Sequence, residues 1–164
     1  MEEQSIMQLQ TTINGKPIQA EVPAETLLID LLRDDLDLTG TKRSCDMQIC
    51  GSCTVLLDGQ PVSSCSLLAY ETQDRQVLTI EGVSLNGSLH PVQTAFLQEY
   101  GLQCGFCTPG MVLTTLSLLA ENPNPDEETI RAHIGSNLCR CTGYYPIVNA
   151  VKKSVQLTNN TPGD

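Results

Sequence analysis

The protein has 164 residues, with nine Lys or Arg and nineteen Asp or Glu, so that its formal net charge is −10. A chain of this charge lacks the basic patches that nucleic acids and anionic membranes require, and we expect neither as a partner. Aromatic residues make up only 4% and Trp is absent. Small cores of this kind are often stabilised by a bound metal.

The sequence shows neither an export signal nor an apolar segment of membrane-spanning length. We therefore expect a cytoplasmic protein. In that reducing compartment, disulfides are the weaker interpretation of its eight cysteines.

Residues 1–81 show strand patterns interrupted by one helical pattern. The predicted strands lie at 6–13, 17–22, 53–57 and 77–80. Apolar residues at helical spacing predict one short helix over 26–36. Asn14-Gly15 and Asp58-Gly59 are typical of two-residue hairpin turns. We therefore expect a small ferredoxin-like α+β domain.

After residue 82 the pattern becomes helical. The predicted helices lie at 91–100, 108–121, 126–134 and 144–155. Gly101 is expected to end the first helix, and Thr108 is expected to cap the second with Pro109 at its first position. The expected division is a ferredoxin-like domain (1–81), a linker (82–89), a four-helix bundle (90–157) and a flexible tail (158–164).

The eight cysteines form two quartets of different spacing. The first follows C-x4-C-x2-C, with a fourth sulfur after eleven further residues: Cys45, Cys50, Cys53 and Cys65. The second joins C-x2-C to C-x-C: Cys104, Cys107, Cys139 and Cys141. Four thiolates are the ligand count of one iron–sulfur cluster, and the first spacing is that of plant-type 2Fe–2S ferredoxins. Two quartets predict two 2Fe–2S clusters and hence electron transfer.

The two quartets have different surroundings. Gly51 lies between two cysteines of the first quartet, where it permits backbone angles that other residues resist. In the second quartet, Cys107 and Cys141 lie just before predicted helices. Helix N-termini offer unpaired N–H groups and partial positive charge to an anionic thiolate centre. We therefore expect one cluster in a surface loop and one buried between helices.

Structural zinc, disulfides and free buried cysteines are the alternatives. Zinc favours paired C-x2-C or C-x4-C knuckles. The second quartet half fits, but its C-x-C pair is unusual for zinc, and the C-x4-C-x2-C run of the first quartet is a poor zinc pattern. The competing functions are a free-standing two-cluster ferredoxin and a zinc-stabilised interaction module. The zinc protein would be colourless, so a visible spectrum separates it from either iron–sulfur protein.

Three segments carry a resemblance to a known family: 45–59 followed by Cys65, 103–111, and 137–144. In this order they closely resemble the small iron–sulfur subunit of the xanthine oxidase (molybdenum hydroxylase) family. The resemblance covers about residues 5–155. It implies a plant-type 2Fe–2S ferredoxin domain of β-grasp fold and an all-α four-helix bundle, each holding one cluster.

The resemblance also implies partners and roles. A large subunit would bind molybdopterin and a medium subunit FAD, in a dimer of heterotrimers. Gln103 and Cys141 match the positions that contact the pterin in the family. Electrons would pass from molybdenum through the bundle cluster and the ferredoxin cluster to FAD or another acceptor.

The implied enzyme is thus an oxidoreductase complex, with no catalytic residue or substrate site on this chain. The family's substrates include aldehydes, N-heterocycles, carbon monoxide and aromatic acyl-CoA esters, selected by the large subunit. Ser44 and Ser52 stand where the family often has Gly and Ala. Neither change removes a cluster ligand, but Ser44 is expected to alter the loop beside the cluster.

Overall fold

The N-terminal part of the computed structural model, which describes residues 5–84 and 87–160, is built on a five-stranded mixed sheet. Its strands are β1 (Ile6–Ile13), β2 (Lys16–Pro23), β3 (Thr54–Leu57), β4 (Gln60–Ser63) and β5 (Gln76–Leu78). The order across the sheet is β2-β1-β5-β3-β4. Strands β1 and β5 pair in parallel, and every other neighbouring pair is antiparallel. The strands predicted from alternation are all present.

Two tight turns connect the antiparallel pairs at the ends of the sheet. Asn14 and Gly15 have φ of 52° and 75°, and Asp58 and Gly59 have φ of 50° and 84°. Positive φ at both central residues is the hairpin geometry that matches the strand twist. Both predicted turns are therefore confirmed.

One α-helical segment of the N-terminal part packs its apolar side chains into the sheet's core. It comprises α1 (Leu28–Asp30) and a following π-helical turn (Leu31–Asp35). It begins two residues later than predicted, because Leu27 forms a β-bridge with Leu68 instead of a helical turn. A helix crossing a mixed sheet gives this part the α+β, β-grasp arrangement.

The C-terminal part contains the four predicted helices. They are α2 (Pro91–Gln98), α3 (Thr108–Glu121), α4 (Glu127–Ile134) and α5 (Tyr145–Asn160). Phe96, Met111, Ile130 and Ile147, one from each helix, are fully buried in a common core. Asp126 caps α4, because its carboxylate accepts the Thr129 N–H at 2.8 Å.

The end of α2 differs from the prediction. The residue with left-handed backbone is Tyr100 (φ 55°), and the Gly101 N–H donates to the Phe96 carbonyl at 2.9 Å. This is the hydrogen bond of a Schellman ending. Gly101 is needed for a different reason: a Cβ there would lie 3.1 Å from the Cβ of Ala150 on α5.

Two further helix boundaries also differ. Cys107 is the residue that precedes α3, and Thr108 lies inside the helix with its hydroxyl buried and unpartnered among the described residues. Helix α5 extends to Asn160, beyond the expected end at 155 and into the segment assigned to the tail. Residues 85–86 of the expected linker and 161–164 of the expected tail lie outside the described residues.

The two parts pack directly against each other through β3 and α3. Leu56 of β3 belongs to the core of the helical part. The first turn of α3 lies so close to the first cysteine loop that a Cβ on Gly110 would be 2.4 Å from the Gly51 carbonyl oxygen. Both cysteine quartets flank this junction. Among the described residues, no helix has the length and apolarity needed to cross a membrane.

Candidate metal centres

The first quartet is held by the loop that leads into β3. Three residues of this loop have left-handed backbone: Asp46 (φ 53°), Gln48 (φ 57°) and Gly51 (φ 68°). Their angles curl the chain so that successive N–H groups face inward, as in anion-binding nests. The Ile49 and Cys50 N–H groups donate to the Cys45 Sγ at 3.5 and 3.4 Å. The predicted need for Gly51 is met, but two non-glycine residues share the same backbone conformation.

The electrostatics of this loop favour a thiolate at Cys45. Hydrogen bonds from the N–H groups of Met47, then of Cys50 and Ile49, lower the pKa of Cys45 to about 6. Burial raises the pKa of Cys65 to about 11, against a smaller opposing effect of the Gln48 N–H. An iron ligand has to be a thiolate, and a buried thiol of this kind ionises readily only beside a cation such as iron.

The second quartet lies between the start of α3 and the loop that precedes α5. Cys104 and Cys141 are exposed with their sulfurs 3.6 Å apart, whereas Cys107 is buried and Cys139 is half-buried. The site is therefore exposed along one edge, which corrects the expectation of a fully buried centre. Cys107 directly precedes α3 as predicted, but three residues separate Cys141 from α5.

The thiols of the second quartet have contrasting environments. Burial raises the pKa of Cys107 to about 12. Burial is the largest effect on the pKa of Cys139 and acts to raise it, but hydrogen bonds from Thr142, the Cys141 N–H and Cys107 together outweigh it, and the net shift is downward. The Thr142 hydroxyl lies 3.1 Å from the Cys139 Sγ. The hydrogen bond with Cys104 raises the pKa of Cys141.

A cavity of about 540 Å³ opens at the second quartet and reaches the first. Its walls include all four cysteines of the second quartet and Cys50 of the first. The remaining lining residues are Ser44, Ser52, Phe106, Leu138, Arg140 and Tyr144. Ser44 and Ser52, the two departures from the family pattern, thus border the space between the quartets.

The arrangement of the donors suits a binuclear cluster. Within residues 5–84 and 87–160, no three His, Cys, Asp or Glu side chains converge on a point suited to one ion. The thiols instead contact one another in pairs: Cys45–Cys50, Cys53–Cys65, Cys104–Cys141 and Cys107–Cys139. A 2Fe–2S cluster with four cysteine ligands takes one such pair on each iron, so the residues present fit this group.

The backbone joins the two quartets directly. The Leu138 N–H donates to the Cys50 carbonyl at 2.8 Å. Cys50 belongs to the first quartet, and Leu138 immediately precedes Cys139 of the second. Tyr144 supports the same loop, because its hydroxyl accepts the Cys139 N–H at 3.0 Å. The cysteine spacing does not reveal the bond from Leu138 to Cys50, which joins residues far apart in the sequence.

Gln103, predicted as a pterin contact, lies on the exposed edge of the second quartet. It is exposed and adjoins Cys104, whose sulfur is 3.6 Å from that of Cys141. Phe106 and Leu138 are exposed on the same side of the cavity. Sequence reasoning missed Thr142, Tyr144 and Leu138, although the position of Thr142 directly after Cys141 was a usable signal.

Comparison with known families covers nearly the whole chain. Residues 11–79 match the family described as "2Fe-2S iron-sulfur cluster binding domain". Residues 79–152 match the family described as "[2Fe-2S] binding domain". Each match contains one of the two quartets.

Individual relatives agree with these matches. The nicotinate dehydrogenase small FeS subunit of Eubacterium barkeri is 41% identical over 148 residues, covering 90% of this chain and 94% of that protein. A probable xanthine dehydrogenase subunit of Bacillus subtilis is 42% identical over 143 residues, covering 87% and 82%. A chain of quinoline 2-oxidoreductase from Pseudomonas putida 86 superimposes with a TM-score of 0.90 and 42% identity, covering 94% of this chain and 98% of that one.

The sequence, the fold and the paired thiols thus lead to one assignment. The chain carries two 2Fe–2S centres and transfers electrons as one subunit of an oxidoreductase whose molybdenum cofactor lies on a partner. It belongs to the small iron–sulfur subunits of the xanthine oxidase (molybdenum hydroxylase) family.

Proposed function

We propose that electrons enter this chain at the second quartet from a molybdopterin-binding large subunit and leave at the first quartet towards an FAD-binding medium subunit. The direction follows from the family resemblance, and the observation that supports transfer between the quartets is the hydrogen bond from the Leu138 N–H to the Cys50 carbonyl. It joins the backbones of the two quartets, so that an electron crosses between them through covalent bonds and one short hydrogen bond.

All eight cysteines are proposed as iron ligands. Cys45, Cys50, Cys53 and Cys65 hold the ferredoxin cluster, and Cys104, Cys107, Cys139 and Cys141 hold the bundle cluster. The four thiol contacts described above support one pair on each iron. The clusters supply reversible one-electron chemistry, and the chain supplies the thiolates, the N–H donors and the spacing.

The exposed surface beside each quartet supports the order of transfer. At the second quartet, Gln103 and Cys141 lie on an exposed edge, where they are proposed to contact the pterin. At the first quartet, Met47 and Ile49 are 63% and 60% exposed. Exposed apolar side chains beside a redox loop favour docking of a second protein, here the FAD-binding subunit.

The division of the chain and its assembly complete the proposal. The domains are 1–81 and 90–157, joined by a linker over 82–89, and helix α5 continues the second domain to Asn160. Three subunits form a heterotrimer, which dimerises in the cytoplasm.

Rapid mixing of the purified complex with substrate tests the order. Cys50→Ala removes a ligand of the ferredoxin cluster, so molybdenum and the bundle cluster should still be reduced while the flavin stays oxidised. Cys107→Ala should stop electrons before the ferredoxin cluster and the flavin. Ser44→Ala, next to Cys45 in the same loop, is the control and should retain about four iron atoms per chain. Flavin reduction at the wild-type rate in Cys50→Ala would contradict the order.

The need for partners is tested separately. The isolated chain should lose its bundle cluster faster than the complex does, because the edge at Cys104 and Cys141 is then open to water. Iron release to a chelator, followed by visible absorption, measures this difference. An isolated chain that elutes as a stable monomer with both clusters intact would favour the free-standing ferredoxin.

A further inference from the structure

Asn137 is a buried side chain that connects the two quartets without belonging to either. Its exposed fraction is 0%, although its carboxamide carries two donors and an acceptor. It lies two residues before Cys139 in the loop that follows α4. A buried amide is costly unless its hydrogen bonds are made, so its partners indicate what holds it there.

The carboxamide contacts two distant segments of the chain and the neighbouring residue of its own loop. Its Nδ2 donates to the Gly51 carbonyl at 2.7 Å, between the ligands Cys50 and Cys53 of the first quartet. Its Oδ1 accepts from the Thr114 hydroxyl of α3 at 2.9 Å. The same oxygen accepts from the Ser136 hydroxyl at 2.9 Å. Asn137 therefore ties the first cysteine loop to α3 and to the second cysteine loop at once.

The residues around Asn137 are closely packed. A Cβ on Gly51 would lie 2.7 Å from the Asn137 Nδ2, and a Cβ on Gly110 would lie at the same distance from that atom. Both glycines are thus closed around the carboxamide. The backbone at position 137 therefore has no room to shift, and a side chain of another shape cannot form the same hydrogen bonds.

We propose that Asn137 is a positioning residue that fixes the distance and orientation between the two clusters, and so sets the rate at which electrons pass between them. This inference rests on the proposed ligation of both quartets. Asn137 acts through Gly51 on one side and through the adjoining Leu138–Cys139 backbone on the other. Its removal allows the two loops to separate while each keeps its own four cysteines.

The test uses the assembled complex carrying Asn137→Ala. In the fully reduced complex, the magnetic splitting between the two clusters in low-temperature EPR depends on their separation and orientation. We expect this splitting to change and intercluster electron transfer to slow by on the order of tenfold, as for other small losses of positioning. Iron content and the EPR signal of each cluster should stay as in the unmodified complex. Loss of iron would instead bear on the ligand assignment.

Matched variants keep the test decisive if Asn137→Ala fails to fold. Thr114→Val removes one hydrogen bond to Asn137, and we expect a smaller change of the splitting. Thr115→Val is its control on the same helix, because the Thr115 hydroxyl bonds only the Met111 carbonyl of α3 in the described structure. Asn14→Ala is the control for Asn137→Ala, since it removes an amide that bonds Thr79 away from both quartets. An unchanged splitting and transfer rate in Asn137→Ala or Thr114→Val would overturn the proposal.

Discussion

Two features of the structure require glycine at position 51: a left-handed backbone and the lack of space for a Cβ. The Gly51→Ala variant, compared with a matched control, separates their costs. Gly51 has a φ of 68°, and a Cβ there would lie 2.6 Å from the Ser136 carbonyl oxygen. Gly59 provides the matched control. Its φ is 84°, but a Cβ there would meet no atom within 4 Å. The two variants share the backbone strain, and only Gly51→Ala adds the clash.

The expected magnitudes follow from these two effects. Holding a residue with a Cβ in the left-handed region costs roughly 1–2 kcal/mol. Forcing a methyl group into closely packed surroundings costs about 1–3 kcal/mol more. We therefore expect Gly59→Ala to lower the free energy of unfolding by about 1–2 kcal/mol, and Gly51→Ala by about 2–5 kcal/mol.

Urea unfolding of the cluster-loaded protein measures both costs. Far-UV circular dichroism follows the fold, and visible absorption follows the clusters. In Gly51→Ala the visible signal should be lost at lower urea than in Gly59→Ala, because the displaced atoms lie between the two quartets. Equal midpoints for the two variants would refute the close packing of Gly51 against Ser136 and Asn137.

Three further predictions concern other parts of the chain. Thr142→Val removes the hydroxyl 3.1 Å from the Cys139 Sγ and should lower the reduction potential of the bundle cluster, measured by redox titration, because hydrogen bonds to ligand sulfur stabilise the reduced state. Asp126→Ala should lower the melting temperature near neutral pH. The Thr129 N–H holds the pKa of Asp126 below its usual range, so this stabilisation is present above the ordinary carboxyl pKa, and the difference from wild type should shrink as the pH falls below about 4. Ile130→Ala, at a fully buried position of the helical core, should cost about 2–5 kcal/mol in the same unfolding measurement.

Local patterns were sufficient to predict most of the fold. Alternation in β1, the Asn14-Gly15 turn and the helical spacing of α3 each depend on residues close together in sequence. Such signals failed where a distant contact decided the outcome. Leu27 has the apolar spacing of a helix but pairs with Leu68. Tyr100 takes the left-handed position, whereas Gly101 packs against Ala150 of α5.

The candidate site was predictable in its ligands but not in their connection. The spacing of the quartets indicates four thiolates for each cluster, and the structure brings the members of each quartet together in pairs. Asn137 has an ordinary sequence context, that of a polar residue in a loop before a cysteine. Its partner Gly51 is 86 positions away, and no local pattern reports a hydrogen bond across that separation.

Each quartet has an inner pair and a more exposed pair, and this division links folding to electron transfer. Cys53 and Cys65 pack with Ile29 in the N-terminal part, and Cys107 belongs to the helical core. Burial raises the pKa of Cys65 and Cys107, so iron has to offset the cost of burying their thiolates, and the clusters act as part of the core.

The outer thiols lie at the junction between the quartets and on the exposed edge of the second quartet. Cys50 lies at the junction, where its carbonyl accepts the Leu138 N–H. Cys104 and Cys141 remain exposed. The inner cysteines bind the cluster and also pack in the protein core. This double role makes each redox centre rigid in a chain that has few aromatic residues.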